Sequence, residues 1–211
     1  MATKAATTIV NIDICGMQRY FIIYKPYLVQ SQFSAHEGKQ TLADFFKVPK
    51  DMYPVGRLDA DSEGLLILTN DKALNHRLLH PSFAHERMYW AQVDGAVTNE
   101  AISNLEKGVT INVDGIMYAT KPCKAKLLTS EPIVPPRTPP IRFRKDIPAP
   151  WIELVLTEGK NRQVRKMTAA IGFPTLRLIR NRIEQIMLSD MQPGDMIELS
   201  KSSIYKKLFN E

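Results

Sequence analysis

Residues 54–71, PVGRLDADSEGLLILTND, place a charged turn between two apolar runs. Asp59, Asp61 and Glu63 bring three carboxylates into five positions, where they repel one another unless cations or backbone N–H groups compensate them. This crowding is a first indication of a catalytic or binding site built on a carboxylate. Asp, Ser and Gly are also ordinary turn residues, and the stretch taken alone is better explained as a plain turn.

A second charged stretch lies much later in the chain. Asn161 is predicted to cap a helix, RQVRKMTAAIG, which ends at Gly172. Arg162 and Arg165 lie in the first two turns of this helix, where they oppose the helix dipole. They are placed either for an anion, which could be a carboxylate or a phosphate, or on a solvated face.

Residues 131–150 differ in composition from the rest of the chain. Seven of them are proline, at positions 132, 135, 136, 139, 140, 148 and 150, and Arg137, Arg142, Arg144 and Lys145 lie among them. This pattern predicts a long extended segment that does not pack a core. Two interpretations remain open, a solvated loop and a basic arm over a phosphate backbone.

Composition narrows the class of protein. The chain has 211 residues, of which 44% are hydrophobic, enough for one large or two small domains. Its formal net charge of +6 and pI of about 9.3 favour a polyanionic partner. Cys15 and Cys123 suit a reducing compartment, and the four histidines lack metal-ligand spacing, so we expect no metal site. Without a membrane-length apolar run or a signal-peptide core at residues 1–8, the expected location is the cytoplasm.

Between these stretches, short β-rich runs alternate with short helices. Strands are predicted at residues 20–24, 54–58, 64–68, 87–95, 109–113, 116–120, 124–128, 151–156, 175–180 and 196–199. Helices are predicted at residues 42–46, after a cap at Asn70 or Asp71, at residues 100–107 after Thr98 or Asn99, and at residues 162–172. Asp114-Gly115 is a two-residue hairpin turn.

Three segments taken in order resemble a known family. GRLDADSEGLLILTND, RMYWAQV and EGKNRQVRKM are similar to the signature segments of the bacterial ribosomal RNA pseudouridine synthases of the RsuA and RluE group. KPYLVQSQF, PPRTPPIRFRKDIPAPW and GFPTLRLIR resemble its RluE branch, which acts on large-subunit ribosomal RNA. The resemblance runs from about Tyr20 to Leu199. The chain departs from the usual pattern at Tyr24, where relatives carry Asn, and at Arg87, where they often carry Lys.

The resemblance implies a fold and a domain organisation. We expect an α+β fold with a mixed, largely antiparallel central sheet and packed helices, in two small lobes that face a basic cleft and meet near residues 86–89. A single catalytic domain would cover residues 18–200, between a flexible tail at residues 1–17 and a basic C-terminal tail at residues 201–211. No separate N-terminal RNA-binding domain is expected, and the protein is expected to be a monomer.

The resemblance also assigns catalytic roles. Asp59 corresponds to the catalytic aspartate, Tyr89 to the active-site tyrosine, and Arg165 to the arginine that pairs with the aspartate. The implied reaction moves uracil from its N1 to its C5 attachment, with Asp59 either attacking C1′ or removing a ribose proton. Tyr89 would stack on the uracil and take the C5 proton. Because the reaction involves neither redox change nor hydrolysis, no cofactor is expected.

The implied substrate is a uridine of 23S ribosomal RNA, which must leave its stack to react. Candidates to hold the phosphates meanwhile are Arg57, Arg162, Arg137, Arg142 and Arg144. A non-catalytic RNA-binding or ribosome-assembly module on the same fold is the alternative. The combination of Asp59, Tyr89 and Arg165 favours the enzyme, since a binding module has no use for it.

Overall fold

The computed structural model describes residues 17–142 and 144–211. The predicted N-terminal tail and Cys15 lie outside this range, apart from Met17. The strands are β1 (Tyr20–Lys25), β2 (Tyr53–Pro54), β3 (Glu63–Thr69), β4 (Arg87–Val93), β5 (Thr110–Val113), β6 (Ile116–Ala119), β7 (Lys124–Leu127), β8 (Trp151–Leu156), β9 (Thr175–Ile183), β10 (Ile186–Met187) and β11 (Met196–Leu199). The helices are α1 (Leu42–Phe45), α2 (Lys72–Leu79), α3 (Asn99–Lys107), α4 (Gln163–Ala170) and α5 (Lys201–Phe209).

A single nine-stranded sheet organises the described residues, in the order β11-β1-β3-β9-β4-β8-β7. The short strands β2 and β10 pair with β3 and β9, while β5 and β6 form a separate hairpin. The pairing of β3 with β9 is parallel and the other pairings are antiparallel. The mixed, largely antiparallel sheet of the predicted α+β fold is therefore confirmed.

Side chains alternate between two faces of the sheet and build separate hydrophobic clusters. Tyr20 and Ile22 of β1 belong to one cluster, which α2 and α5 cover. Phe21 and Ile23 of the same strand belong to another, which α1 covers. A third cluster lies under β4 and β8 and contains residues of α3 and α4. Because β1 and β3 are buried on both faces, their sequences are continuous apolar runs rather than alternating ones.

Local signals placed several elements correctly. The Asp71 carboxylate accepts hydrogen bonds from Ala73 N and Leu74 N at 2.9 and 3.2 Å and so caps α2. Thr98 caps α3, and Gly108 ends it with a φ of 90°. The hairpin at residues 114–115 is as predicted, and residues 131–150, apart from residue 143, contain no helix or strand. The proline-rich segment is not fully detached from the core, because Val134 packs against the cluster of β1 that α2 and α5 cover.

Three predicted elements were wrong. Instead of a strand at residues 54–58 there is only β2, because Gly56 has a φ of 71° and turns the chain. The predicted basic tail is helix α5, which buries Ile204 and Leu208 against the sheet. Asn161 does not cap α4, because the N-cap is Arg162 and the Asn161 side chain donates to Asp114 instead, at 3.0 Å.

Among the helices of the described residues, none is long and apolar enough to cross a membrane.

Candidate active site

A cleft of about 570 Å³ collects several of the predicted site residues. Asp59, Tyr89, Arg57 and Arg162 line it, together with residues of β8 and β9. Arg165 stands outside this lining, behind the loop that carries Asp59. Tyr89 and Arg162 come from β4 and the start of α4, so the fold brings together three segments that are far apart in the sequence.

Asp59 lies in the turn between β2 and β3. Its backbone carbonyl accepts a hydrogen bond from Ser62 N at 3.0 Å, which closes the turn. The Asp59 side chain is 36% exposed, and the nearest cation is Arg162, whose NH1 lies 3.9 Å from Oδ2. Asp59 is thus open to the cleft, and its ion pair with Arg162 is longer than that of Asp61.

Asp61 binds both arginines of α4. Arg162 donates to its two carboxylate oxygens at 3.0 and 2.8 Å. Arg165 donates from NH2 to the Asp61 backbone carbonyl at 2.6 Å, and its Nε lies 3.3 Å from Oδ2. Although burial favours the neutral acid, the hydrogen bonds from Arg162 and the charge of Arg165 hold the pKa of Asp61 below its ordinary value.

The predicted partner of Arg165 was therefore wrong. Arg165 pairs with Asp61 rather than with Asp59, and its NH1 donates to Thr175 O at 3.3 Å. The Arg165 guanidinium thus links the loop that carries Asp59 to Thr175 of β9. Asp61 offers it two acceptors, the backbone carbonyl and the carboxylate. The prediction that Arg162 and Arg165 bind an anion holds, since that anion is the Asp61 carboxylate. Asp61 is not merely a turn residue.

Glu63, the first residue of β3, anchors the end of the loop that carries Asp59. Its carboxylate and the Arg177 guanidinium form two hydrogen bonds of 2.8 Å, and the side chains are 2% and 7% exposed. Arg177 also donates to Pro135 O at 2.9 Å, which attaches the proline-rich segment to the same ion pair. Four residues after Asp59, the chain is thus fixed to β9 by a buried bidentate ion pair.

Three further cations were not predicted as site residues. Arg87 and Arg180 line the cleft, and Lys25 is paired in the sheet with Gly64, the neighbour of Arg180. Lys25 is fully buried and donates to Pro26 O and Val29 O at 2.9 and 2.7 Å. Arg87 donates to backbone carbonyls of residues 78 and 85, and Arg180 donates to Leu65 O at 2.8 Å. Burial lowers the pKa of Arg87, and Arg180 lowers it further. We call Lys25, Arg87 and Arg180 the floor cations.

The sequence contained a signal for Arg180. TLRLIR contains Arg177 and Arg180, three positions apart, and the segment predicts a strand. The strand, β9, lies between β3 and β4 in the sheet, so its arginines are buried rather than solvated. Gly64 of β3 packs directly against it, since a Cβ at that position would lie 2.4 Å from Arg180 O.

The β5–β6 hairpin forms part of the opposite wall. Tyr118 donates to the Glu158 carboxylate at 2.5 Å, and Gln163 donates to the same carboxylate at 2.6 Å. Although burial opposes it, these hydrogen bonds lower the pKa of Glu158. The hairpin is thereby held against the start of α4, beside Arg162.

Two of the three arginines in the proline-rich segment contact other residues of the protein. Arg137 lies 4.2 Å from the centre of the Tyr27 ring and donates to Pro139 O at 2.9 Å. Arg144 forms an ion pair of 2.8 Å with Asp94. Arg142 is exposed and makes no side-chain hydrogen bond to the part of the chain that the structure describes. Of the three predicted phosphate ligands in this segment, Arg142 is the one without such a partner.

The cleft thus combines an accessible carboxylate, a partly buried tyrosine and an excess of cations. Such an arrangement suits an anionic substrate that reacts at an electrophilic carbon. In the described residues, no group of three or more His, Cys, Asp or Glu side chains could hold a metal ion.

Comparison with known proteins identifies a family. The family described as RNA pseudouridylate synthase matches residues 19–170. The chain is 46% identical over 182 residues to ribosomal large subunit pseudouridine synthase E of Vibrio parahaemolyticus, covering 86% of this chain and 74% of the relative. It is 49% identical over 174 residues to the protein of that name from Xanthomonas axonopodis pv. citri, covering 82% and 89%.

A solved structure agrees with this match. A crystal structure of a pseudouridylate synthase superposes with a TM-score of 0.73 at 26% identity, and the match covers 91% of this chain and 74% of that one.

Proposed function

Because the chain belongs to the RNA pseudouridylate synthase family, we propose that it isomerises a uridine of large-subunit ribosomal RNA to pseudouridine. The observation that supports this most directly is the cleft, in which Asp59 is exposed to the substrate side and Tyr89 lines the same wall as Arg180. The substrate class follows from the relatives named as ribosomal large subunit pseudouridine synthases.

In the proposed reaction Asp59 acts on the ribose of the flipped uridine. The bond between C1′ and N1 breaks, and Asp59 either bonds to C1′ or removes a ribose proton. Tyr89 stacks on the uracil and accepts the proton that C5 loses after re-attachment. Arg165 acts indirectly, since it fixes the loop through Asp61 and its charge lies close enough to interact with Asp59.

The RNA contacts are part of the same proposal. Arg57 is exposed and lines the cleft, so it binds a phosphate next to the flipped nucleotide. Arg162 is also exposed and lines the cleft, and it binds a phosphate by exchanging its contact with Asp61. Arg142 binds the backbone further away, while Arg137 and Arg144 chiefly hold their segment to the body. We further propose that the protein acts as a monomer in the cytoplasm, which light scattering and cell fractionation would test.

The test is to map pseudouridines in ribosomal RNA. Large-subunit ribosomal RNA that lacks the modification is incubated with the protein, and carbodiimide adducts are located by reverse transcription. We expect one or a few new pseudouridines with the wild-type protein. Asp59→Asn should lower the rate at least about 10³-fold, because it removes the reacting carboxylate, and should leave RNA binding unchanged.

Asp190→Asn is the matched control, because Asp190 is exposed and lies outside the cleft lining. It should retain wild-type activity. Turnover by Asp59→Asn would refute the catalytic assignment, and RNA binding without any new pseudouridine in the wild type would favour the non-catalytic module.

A further inference from the structure

Arg180 is a buried cation whose hydrogen-bonding capacity is only partly used. Its side chain is 4% exposed and lines the cleft. Nε donates to Leu65 O, whereas the buried NH2 has no acceptor among the described residues. A guanidinium has five N–H donors, and burying them without acceptors costs free energy. Arg180 therefore lines the cleft with donor capacity that its protein neighbours do not use.

The position of Arg180 relates it directly to the reacting base. Arg180 of β9 is the register partner of Tyr89 of β4, so the two residues occupy neighbouring positions on the sheet. Both line the cleft, as does Asp59. If Tyr89 stacks on the uracil, Arg180 therefore lies beside the base, where its guanidinium is placed to meet the polar edge of the uracil ring.

The surroundings do not neutralise this charge. Within the described residues Arg180 forms no ion pair within 4.0 Å, unlike Arg177 on the same strand. Its nearest charged companions include the other floor cations, Lys25 and Arg87, whose pKa values it lowers. Arg87 and Arg180 therefore bring positive charge to the cleft lining without a paired carboxylate among the described residues, and a buried charge such as that of Arg180 acts strongly on a nearby ligand.

We propose that Arg180 is a catalytic residue that donates a hydrogen bond to a carbonyl oxygen of the uracil while the ring is detached from the ribose. This inference rests on the proposed function and adds to it the group that stabilises the departing base.

The charge balance of the reaction requires such a group. When the bond from C1′ to N1 breaks, its electron pair remains on uracil, which becomes an anion delocalised over N1 and the carbonyl oxygens. C1′ is meanwhile bonded to Asp59, or has become part of a glycal after Asp59 takes the 2′ proton. C5 then bonds to C1′. On the first route the bond between C1′ and the Asp59 oxygen breaks, and on the second route Asp59 returns the proton to C2′. C5 finally loses its proton, and N1 gains one. In both routes the detached uracil carries the negative charge that Arg180 would stabilise.

The experiment compares uracil with 5-fluorouracil, whose anion needs less stabilisation by the protein. A short RNA that carries the mapped uridine is prepared with uridine or with 5-fluorouridine at that position. Fluorine withdraws electrons and makes the uracil anion more stable. Cleavage of the glycosidic bond is followed in single turnovers, as loss of the original nucleoside after digestion, because a fluorine at C5 prevents the final proton loss.

Arg180→Met should slow cleavage of the uridine RNA about 100-fold, as expected for loss of one donor to a developing anion. It should slow cleavage of the 5-fluorouridine RNA less than about 10-fold, and RNA affinity should not change. Arg180→Lys, which keeps the charge, should recover part of the rate. Arg182→Met is the matched control on the same strand, because Arg182 pairs with Glu86 and lies outside the cleft lining, and it should resemble wild type.

Equal losses on the two RNAs would overturn the inference, since a merely structural role of Arg180 affects both substrates alike. Thermal unfolding of each variant verifies that the proteins compared are folded. An inactive wild type would overturn the proposed function and this inference with it, whereas an active wild type with equal losses would overturn this inference alone.

Discussion

The cations around the cleft fall into two groups that differ in what they bind. Arg162 and Arg165 meet the carboxylate of Asp61, and Arg177 meets that of Glu63. The three floor cations donate to backbone carbonyls instead. Among the described residues, only the first group is paired with carboxylates.

This difference separates two tasks. An arginine paired with a carboxylate contributes geometry, because the bidentate contact fixes the orientation of both partners while their charges cancel. In this way Asp61 and Glu63 fix the loop two and four residues after Asp59. An arginine that meets only carbonyl dipoles keeps its net charge, so Arg87 and Arg180 contribute an electric field to the substrate. Lys25, whose pKa burial lowers to about 7, contributes only part of its charge at neutral pH.

Breaking a neutralised pair should have the largest effect on stability. Glu63→Gln leaves the Arg177 guanidinium buried without its counter-charge, and we expect the free energy of unfolding to fall by about 3 kcal/mol or more. Urea denaturation measures this loss. Activity should fall with it at temperatures where the protein is still folded, because the loop that carries Asp59 loses its anchor on β9.

An exposed pair of the same type is the control. Arg19 and Glu198 form the same bidentate contact at 2.7 and 2.8 Å, but their side chains are 37% and 47% exposed. Glu198→Gln should change stability by less than about 1 kcal/mol. If Glu63→Gln and Glu198→Gln lower the free energy of unfolding equally, burial does not strengthen the pair of Glu63 and Arg177.

Lys25, one of the floor cations, should make the stability of the protein depend on pH. Burial lowers the pKa of Lys25 from 10.5 to about 7, although Glu63, Asp61 and Asp59 raise it, and Arg180 lowers it further. Between pH 7 and 10.5 the unfolded chain then binds the proton that the folded chain has lost, so stability rises with pH across this window. The gain from pH 7 to 9 should be about 2 kcal/mol.

The Lys25→Met variant isolates this effect, because all other titrating groups are common to both proteins. The difference between the two unfolding free energies should change by about 2 kcal/mol from pH 7 to 9. A difference that is constant with pH would mean that Lys25 stays charged in the folded protein, and that the floor carries its full positive charge at neutral pH.

The sequence predicted the elements whose signals are local. The Asp71 cap, the Asp114-Gly115 turn and the strand at residues 151–156 are each contained within a few residues, and all three are present. Asp59 and Tyr89 were placed by resemblance, and the structure brings both to one cleft. Whether they react as assigned stays a prediction.

Partner choice could not be predicted, because it depends on packing between distant segments. Arg165 selects Asp61 over Asp59 only once α4 is docked beside the loop, and two carboxylates two residues apart look equivalent in sequence. The role of Arg180 likewise depends on the sheet order, which places β9 in the interior. Helix α5 was missed because its lysines suggested a solvated tail, although Ile204 and Leu208 have helical spacing.

The arginines of the proline-rich segment also differ in whether they have a partner within the protein. We therefore expect them to differ in RNA binding. Arg137 and Arg144 already have intramolecular partners, whereas Arg142 has none among the described residues. Arg142→Ala should therefore reduce the slope of log affinity against log salt by about 0.7 to 0.9, the value for one phosphate contact. Fluorescence anisotropy with a labelled RNA fragment at several salt concentrations measures this slope.

Arg144→Ala is the matched comparison, since it removes the same charge two residues away. Its side chain exchanges Asp94 for a phosphate on binding, so the net number of counterions released is smaller and the slope should change by less than for Arg142. Equal changes would show that the Asp94 pair does not persist in solution. An unchanged slope in Arg142→Ala would mean that the segment lies away from the RNA, and that binding depends on the cleft arginines alone.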